Sequence, residues 1–208
     1  MAPEPSPELI LDTQHRESEA VIAALREHHP RLLAIARLLT ASLQQGGTLY
    51  LCGNGGSAAD AQHIAAEFVG RFQRGRRPLP AVSLTCNTSV LTAIGNDDDF
   101  SEVFARQVRA HAAPGDSVIG LSTSGRSANV LKAMAAARAA GATAIGFTGA
   151  DGHELASLCD ECLMAPSRST PRIQESHLLA WHLICGLVER SVVGTEPDSQ
   201  SSPATGPA

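Results

Sequence analysis

From Glu8 to Gln45, apolar residues recur at helical spacing among charged neighbours, as in Leu32, Ile35, Ala36 and Leu39. The spacing predicts two helices, divided at Pro30 and ended by Gly46-Gly47. Beyond that point the pattern changes to a short apolar run, a glycine- or serine-rich turn and a helical stretch, repeated. Strands are predicted at 48–52, 80–84, 117–121 and 143–148, with a shorter one near 161–164. Helices are predicted near 57–71, 99–111 and 127–140, and turns through 86–97 and 152–157. The run Ser117-Val118-Ile119-Gly120-Leu121 is continuously apolar and does not alternate, as a strand covered by helices on both faces requires. Residues 133–140 are alanine-rich and strongly helix-forming, with Gly141 placed as the C-cap. A last helix is predicted to start near Pro171, a good first-turn residue, and to run to about Val193. The alternation predicts an α/β fold: a doubly wound, five-stranded parallel sheet between helices, with added N- and C-terminal helices.

A chain of 208 residues fits one domain, here 8–193. The Pro-rich 1–7 and the tail 194–208, which has almost no apolar side chains, are expected to be disordered. No run reaches the roughly 18 apolar residues that span a bilayer, so no membrane partner is expected. The net charge of −5, without a dense Lys/Arg face, argues against a nucleic-acid partner. The basic cluster Arg71, Arg74, Arg76 and Arg77, just before Pro78, reads as a solvated loop or a local anion contact. The N-terminus has no positive stretch followed by an apolar core, so no secretory signal is expected. Five cysteines at scattered spacing fit reduced thiols and a cytoplasmic location. Cys159-Asp160-Glu161-Cys162 is a lone CxxC with no second pair at zinc-finger spacing.

The chemistry concentrates in two turns. Gly53-Asn54-Gly55-Gly56-Ser57 follows the apolar run 49–52, and Ser57 is placed to N-cap the helix behind it. Ser122-Thr123-Ser124-Gly125-Arg126-Ser127 follows the run 118–121 and offers four hydroxyls plus backbone N–H groups at a helix start. Ligands of open α/β sheets gather at the carboxyl ends of strands. Two such turns therefore point to a phosphate monoester, whereas Ser and Thr as plain helix caps is the simpler reading of either one alone. Neither turn has the P-loop or GxGxxG spacing, which disfavours ATP and NAD.

His63 and Glu67, one helical turn apart, face the same way. Such a pair can chelate a divalent metal, supply an acid and a base, or be a plain surface pair. In the last helix Gln174, Glu175, His177 and His182 interrupt an apolar stretch. Gln174 and His182 are eight residues apart, roughly 12 Å along the axis. Bringing both to one ion needs an irregular helix start or side chains from more than one subunit. His177 falls off that face and reads as structural.

These motifs resemble the sugar isomerase domain family and, within it, the sedoheptulose 7-phosphate (phosphoheptose) isomerases. The resemblance runs from about residue 8 to residue 190. It rests on Gly53-Asn54-Gly55-Gly56-Ser57, Asp60-Ala61-Gln62-His63, Glu67, Arg71, Gly95-Asn96-Asp97, Ser122-Thr123-Ser124-Gly125, Ser127, Arg172-Ile173-Gln174-Glu175, His177 and His182. It implies a flavodoxin-like sandwich, a homotetramer with active sites at subunit interfaces, and one Zn²⁺ per subunit held by His63, Glu67, Gln174 and His182. It implies substrate contacts at Asn54, Gly55, Gly56, Ser57, Asn96, Asp97, Ser122, Thr123, Ser124, Ser127 and Gln174, with Glu67 and His182 as the catalytic pair. The implied reaction turns sedoheptulose 7-phosphate, a phosphorylated seven-carbon ketose, into an aldose through an ene-diol. Glu67 serves as base and His182 as acid, with Asp97 as reserve base. Arg126 stands where the family usually has Asn, and Cys86-Asn87 replaces a more usual Thr/Ser-Asp pair. Two alternatives are an isomerase of another phosphosugar and a non-catalytic tetrameric relative that binds the bacterial replication initiator. In the latter, the residues matching Glu67 and His182 are not a Glu and a His.

Overall fold

The computed structural model describes residues 4–193. The disorder expected at 1–3 and 194–208 concerns residues outside that range. Ser6 accepts a hydrogen bond from the Leu9 N–H and caps α1 (Pro7–Ala24). A single 3-10 turn, Leu25–His28, then leads into α2 (His29–Gln44). Pro30 lies in the first turn of α2, where its missing N–H has no intrahelical partner to lose. It opens the second helix; the 3-10 turn marks the division.

The remaining elements alternate: β1 (Leu49–Gly53), α3 (Gly56–Val69), β2 (Ala81–Ser83), α4 (Thr88–Asp97), α5 (Ala105–His111), β3 (Ser117–Ser122), α6 (Ala128–Ala139), β4 (Thr143–Thr148), α7 (His153–Ser157), β5 (Glu161–Met164) and α8 (Thr170–Val193). Two regions expected as turns are helical. Asn87 accepts from the Val90 N–H at 3.1 Å and starts α4, which the sequence conceals behind weak helix formers (Thr88, Ser89, Thr92) and an internal Gly95. In 152–157 the chain makes the short helix α7. The helix expected over 99–111 is divided, because Asp99 accepts from the Ser101 N–H and tightens Phe100–Glu102 into a 3-10 turn before α5.

All strand pairs are parallel and the order is β2-β1-β3-β4-β5. All six residues of β3 are buried, which explains its unbroken apolar run. One core layer packs Ile64 and Phe68 of α3, Leu39 of α2 and Trp181 of α8 against Leu51, Ile119 and Phe147. Trp181 is fully buried and stacks on Phe147 with centroids 4.5 Å apart. The opposite layer sets Phe104, Val108, Val130 and Met134 against Val118 and Ala144. Among the described residues no helix is long and apolar enough to cross a membrane.

In this order the chain leaves β1 toward β2 and returns on the other side as β3. The sheet therefore has a switch point between β1 and β3, where such sheets open a ligand crevice. Gly53 is in register with Leu121, so the two special turns emerge side by side.

Candidate active site

The turn after β1 is tightened by Gly55, whose φ of +55° disfavours any residue with a Cβ. Gly55 takes the N-cap position of α3 and, having no side chain, makes no side-chain cap. Ser57 is thus not the expected cap; it is the second helical residue and is buried. Asn54 is joined to Asn129 of α6 by a reciprocal carboxamide pair: its Nδ2 donates to Asn129 Oδ1 at 2.9 Å, and Asn129 Nδ2 donates back at 2.8 Å. This bridge ties the first turn to the helix behind the second. It engages both ends of the Asn54 carboxamide, while the Asn54 carbonyl accepts the Ser57 N–H.

In the second turn the Ser122 and Ser127 hydroxyls lie 2.8 Å apart, and Ser124 Oγ is 3.5 Å from Ser122 Oγ. Ser124 Oγ also accepts the Arg126 N–H, and the Thr123 carbonyl accepts the Gly149 N–H. Ser127 occupies the N-cap position of α6 without a side-chain cap bond. The hydroxyls turn toward one another and not onto the helix, which counts against plain capping. A cluster of hydroxyls at a helix N-terminus suits an anion.

α8 is helical without interruption from Thr170, so an irregular start at Gln174 is removed as a way to bring it to His182. The Gln174 carboxamide instead lies over the start of α3, where a Cβ on Gly56 would come within 2.4 Å of Gln174 Nε2. Asn96 and Asp97 lie in the last turn of α4, exposed, with Asn96 Nδ2 donating to Asp97 Oδ1. Among the described residues no hydrogen bond joins them to either turn.

Farther along α3, His63 Nε2 sits 3.2 Å from His182 Nε2 of α8 and 3.5 Å from Glu67 Oε1. One chain therefore gathers His63, Glu67 and His182. Phe72, from the loop after α3, stacks on the His182 ring at 5.6 Å and 25°. Beside them burial pushes the Asp60 carboxyl up, while the nearby His63 pulls it down less strongly. With Zn–N bonds near 2.0–2.1 Å, the ligand atoms of a tetrahedral zinc stand about 3.3 Å apart. The 3.2 and 3.5 Å separations match two such edges. As the side chains stand, no three His, Cys, Asp or Glu among the described residues are placed to hold a metal ion.

Sequence reasoning missed Asn129, Phe72 and the role of Arg76. The first two carry no local signal, since their partners lie 75 and 110 residues away along the chain.

The family model for the SIS domain matches residues 15–149. The phosphoheptose isomerase of Rhodospirillum rubrum is 56% identical over 77% of this chain and 85% of its own length. That of Burkholderia pseudomallei is 53% identical over 86% of this chain and 93% of its own. The solved structure of phosphoheptose isomerase GmhA from Neisseria gonorrhoeae matches with a TM-score of 0.85 at 40% identity, covering 89% of this chain and 100% of that one.

Proposed function

We infer that this chain, which belongs to the SIS domain family, is an aldose–ketose isomerase acting on sedoheptulose 7-phosphate. The observation that carries the reading is the placement of a hydroxyl-lined turn at the β1/β3 switch point, beside the turn that starts α3, with His63 and Glu67 on α3 and His182 of α8 set against them. Ser122, Thr123, Ser124 and Ser127 hold the phosphate, and the N-terminus of α6 adds its partial positive charge. Gln174, Asn96 and Asp97 contact the sugar. Glu67 takes the proton that moves between C1 and C2, and His182 donates to the developing oxyanion. The isomerase names of the relatives weigh against the non-catalytic alternative.

His63, His182 and Glu67 are proposed to hold one zinc ion after their side chains close up from the positions seen here; Glu67 and His182 would serve as base and acid only when the proton-moving atom is not the one on the ion. When bound, the ion supplies a Lewis acid for the sugar oxygens. Gln174 is proposed to reach the ion only from another copy of the chain, because within one chain its carboxamide covers Gly56.

A homotetramer with shared sites is supported by the apolar surface. Leu9, Ile10 and Leu11 of α1 are 47–63% exposed. A groove of about 490 Å³ between α2 and α8 is lined by Leu32, Leu33, Phe72, His182, Leu183 and Leu187. A second copy covering it buries apolar surface and closes over His182. A cytoplasmic location is proposed from the five free cysteines.

The test incubates purified protein with a panel of ketose phosphates and follows aldose formation. The seven-carbon ketose should be the preferred substrate. Glu67→Gln and His182→Ala should each lose on the order of 10²–10⁴-fold in turnover with the fold intact. Near-normal turnover in either variant overturns the assignment.

A further inference from the structure

The loop after α3 is held by a buried charge pair that the reaction chemistry does not use. The side chains of Arg76 and Glu189 are 1% and 2% exposed, with Arg76 Nε 3.2 Å from Glu189 Oε1. That contact is an ion pair whose angle is off the hydrogen-bond line. The hydrogen bonds of both groups go to the backbone. Arg76 donates from Nη1 to the carbonyls of Phe68, Gly70 and Arg77, at 2.9–3.2 Å, and from Nη2 to the carbonyl of Glu67 at 2.7 Å. Glu189 accepts the backbone N–H groups of Phe72, Gln73 and Arg74 at 2.9–3.0 Å.

The bonds to Glu67, Phe68 and Gly70 satisfy carbonyls in the last turn and at the C-cap of α3 and place a cation at the negative end of the helix. The bonds to Glu189 fix the backbone of the residue whose ring stacks on His182. Burial pushes the Glu189 carboxyl up, but the three N–H groups and Arg76 together outweigh it, and the group lies below the usual carboxylate value. It remains charged at neutral pH. Seven residues separate Glu189 from His182, two turns of α8, so both lie on nearly the same face.

We propose that Arg76 and Glu189 are positioning residues that set Glu67, through its own carbonyl, and His182, through Phe72, in register with each other. This rests on the roles given above to Glu67 and His182. A pair that spends its donors and acceptors on the backbone under two reacting side chains is placed to fix their separation. A misplacement of about 1 Å in such a pair costs on the order of 10²-fold in rate.

The test compares Glu189→Gln, Arg76→Lys and the neutral double variant Arg76→Met/Glu189→Gln with wild type. Folded fraction is read by near-UV circular dichroism, and kcat and KM are normalised to folded protein well below Tm. We expect kcat per folded molecule to fall roughly 10–100-fold in Glu189→Gln and in the double variant, with KM within about threefold. Arg76→Lys, which keeps the charge but not the fork of donors, should fall between. Where Glu189→Gln does not fold, Arg76→Lys carries the comparison. Unchanged kcat per folded molecule with lowered Tm reduces the pair to a structural role and overturns the proposal. Glu67→Gln is assayed in parallel. If it is inactive while the pair variants are normal, only the positioning role fails; if it is active, the assignment of Glu67 fails and the positioning role with it.

Discussion

His177 makes the acid stability of this protein calculable. Its ring is fully buried and packs edge-on against Phe147 at 5.7 Å. Nε2 lies 3.1 Å from the Thr148 carbonyl oxygen, which can only accept, so Nε2 carries the proton. Nδ1 is buried and finds no hydrogen-bond partner among the described residues. Protonating it would put an unpartnered charge in the core. Burial accordingly lowers the pKa from 6.5 to about 4, against a smaller upward pull from the Thr148 hydrogen bond. Because the folded value lies below the unfolded one, the unfolded chain binds the proton first, and stability falls as pH drops from 6.5 to about 4. Relative to pH 8 the loss is about 2 kcal/mol at pH 5, levelling at about 3 kcal/mol below pH 4. The perturbation is His177→Gln, whose Nε2 can still donate to the Thr148 carbonyl but whose amide does not titrate. Urea unfolding at fixed protomer concentration, from pH 8 to pH 5, should show wild type losing about 2 kcal/mol more than the variant. Asp60, whose carboxyl is raised by burial, contributes in the opposite sense but equally to both proteins. Parallel curves for the two proteins, or a wild type that gains stability relative to the variant on acidification, would refute the reasoning.

Gly56→Ala should leave Tm nearly unchanged, since at the first residue of α3 the interior preference for Ala over Gly, about 1 kcal/mol, applies only in part. Its Cβ displaces the flexible end of Gln174, so kcat/KM should fall roughly tenfold if Gln174 serves the substrate; unchanged kinetics remove that role. Chelation should lower activity and added zinc restore it, and isothermal titration should lose the zinc-binding heat in His63→Ala; full activity in metal-free protein would leave these residues acid–base roles only. Mixing Glu67→Gln with His182→Ala under proven subunit exchange should restore no activity, because one chain supplies both side chains; recovery would show that they act across a subunit boundary.

The parts legible in the sequence are those written in local pattern. The unbroken apolar run of β3, the alternation with helices and the two glycine- and serine-rich turns are local, and they led to the parallel sheet and to a ligand place at the carboxyl ends of its strands; the strand order that puts this at a switch point came from the structure. The i, i+4 spacing of His63 and Glu67 likewise located two of the three side chains that meet with His182. What stayed hidden has both local and long-range causes. α4 was missed because its residues are weak helix formers, and its start depends on a single Asn87 cap. Ser57 was misread because the cap position falls to Gly55, a consequence of backbone geometry and not of side-chain chemistry. The arginine cluster is the sharpest case. Arg71 and Arg74 are exposed, as a solvated loop requires, but the Arg76 side chain is buried against Glu189, 113 residues later. A local anion contact was one of the two readings open from sequence. Which arginine makes it, and that it lies beneath Glu67 and His182, depends on the packing of α8 across the end of α3.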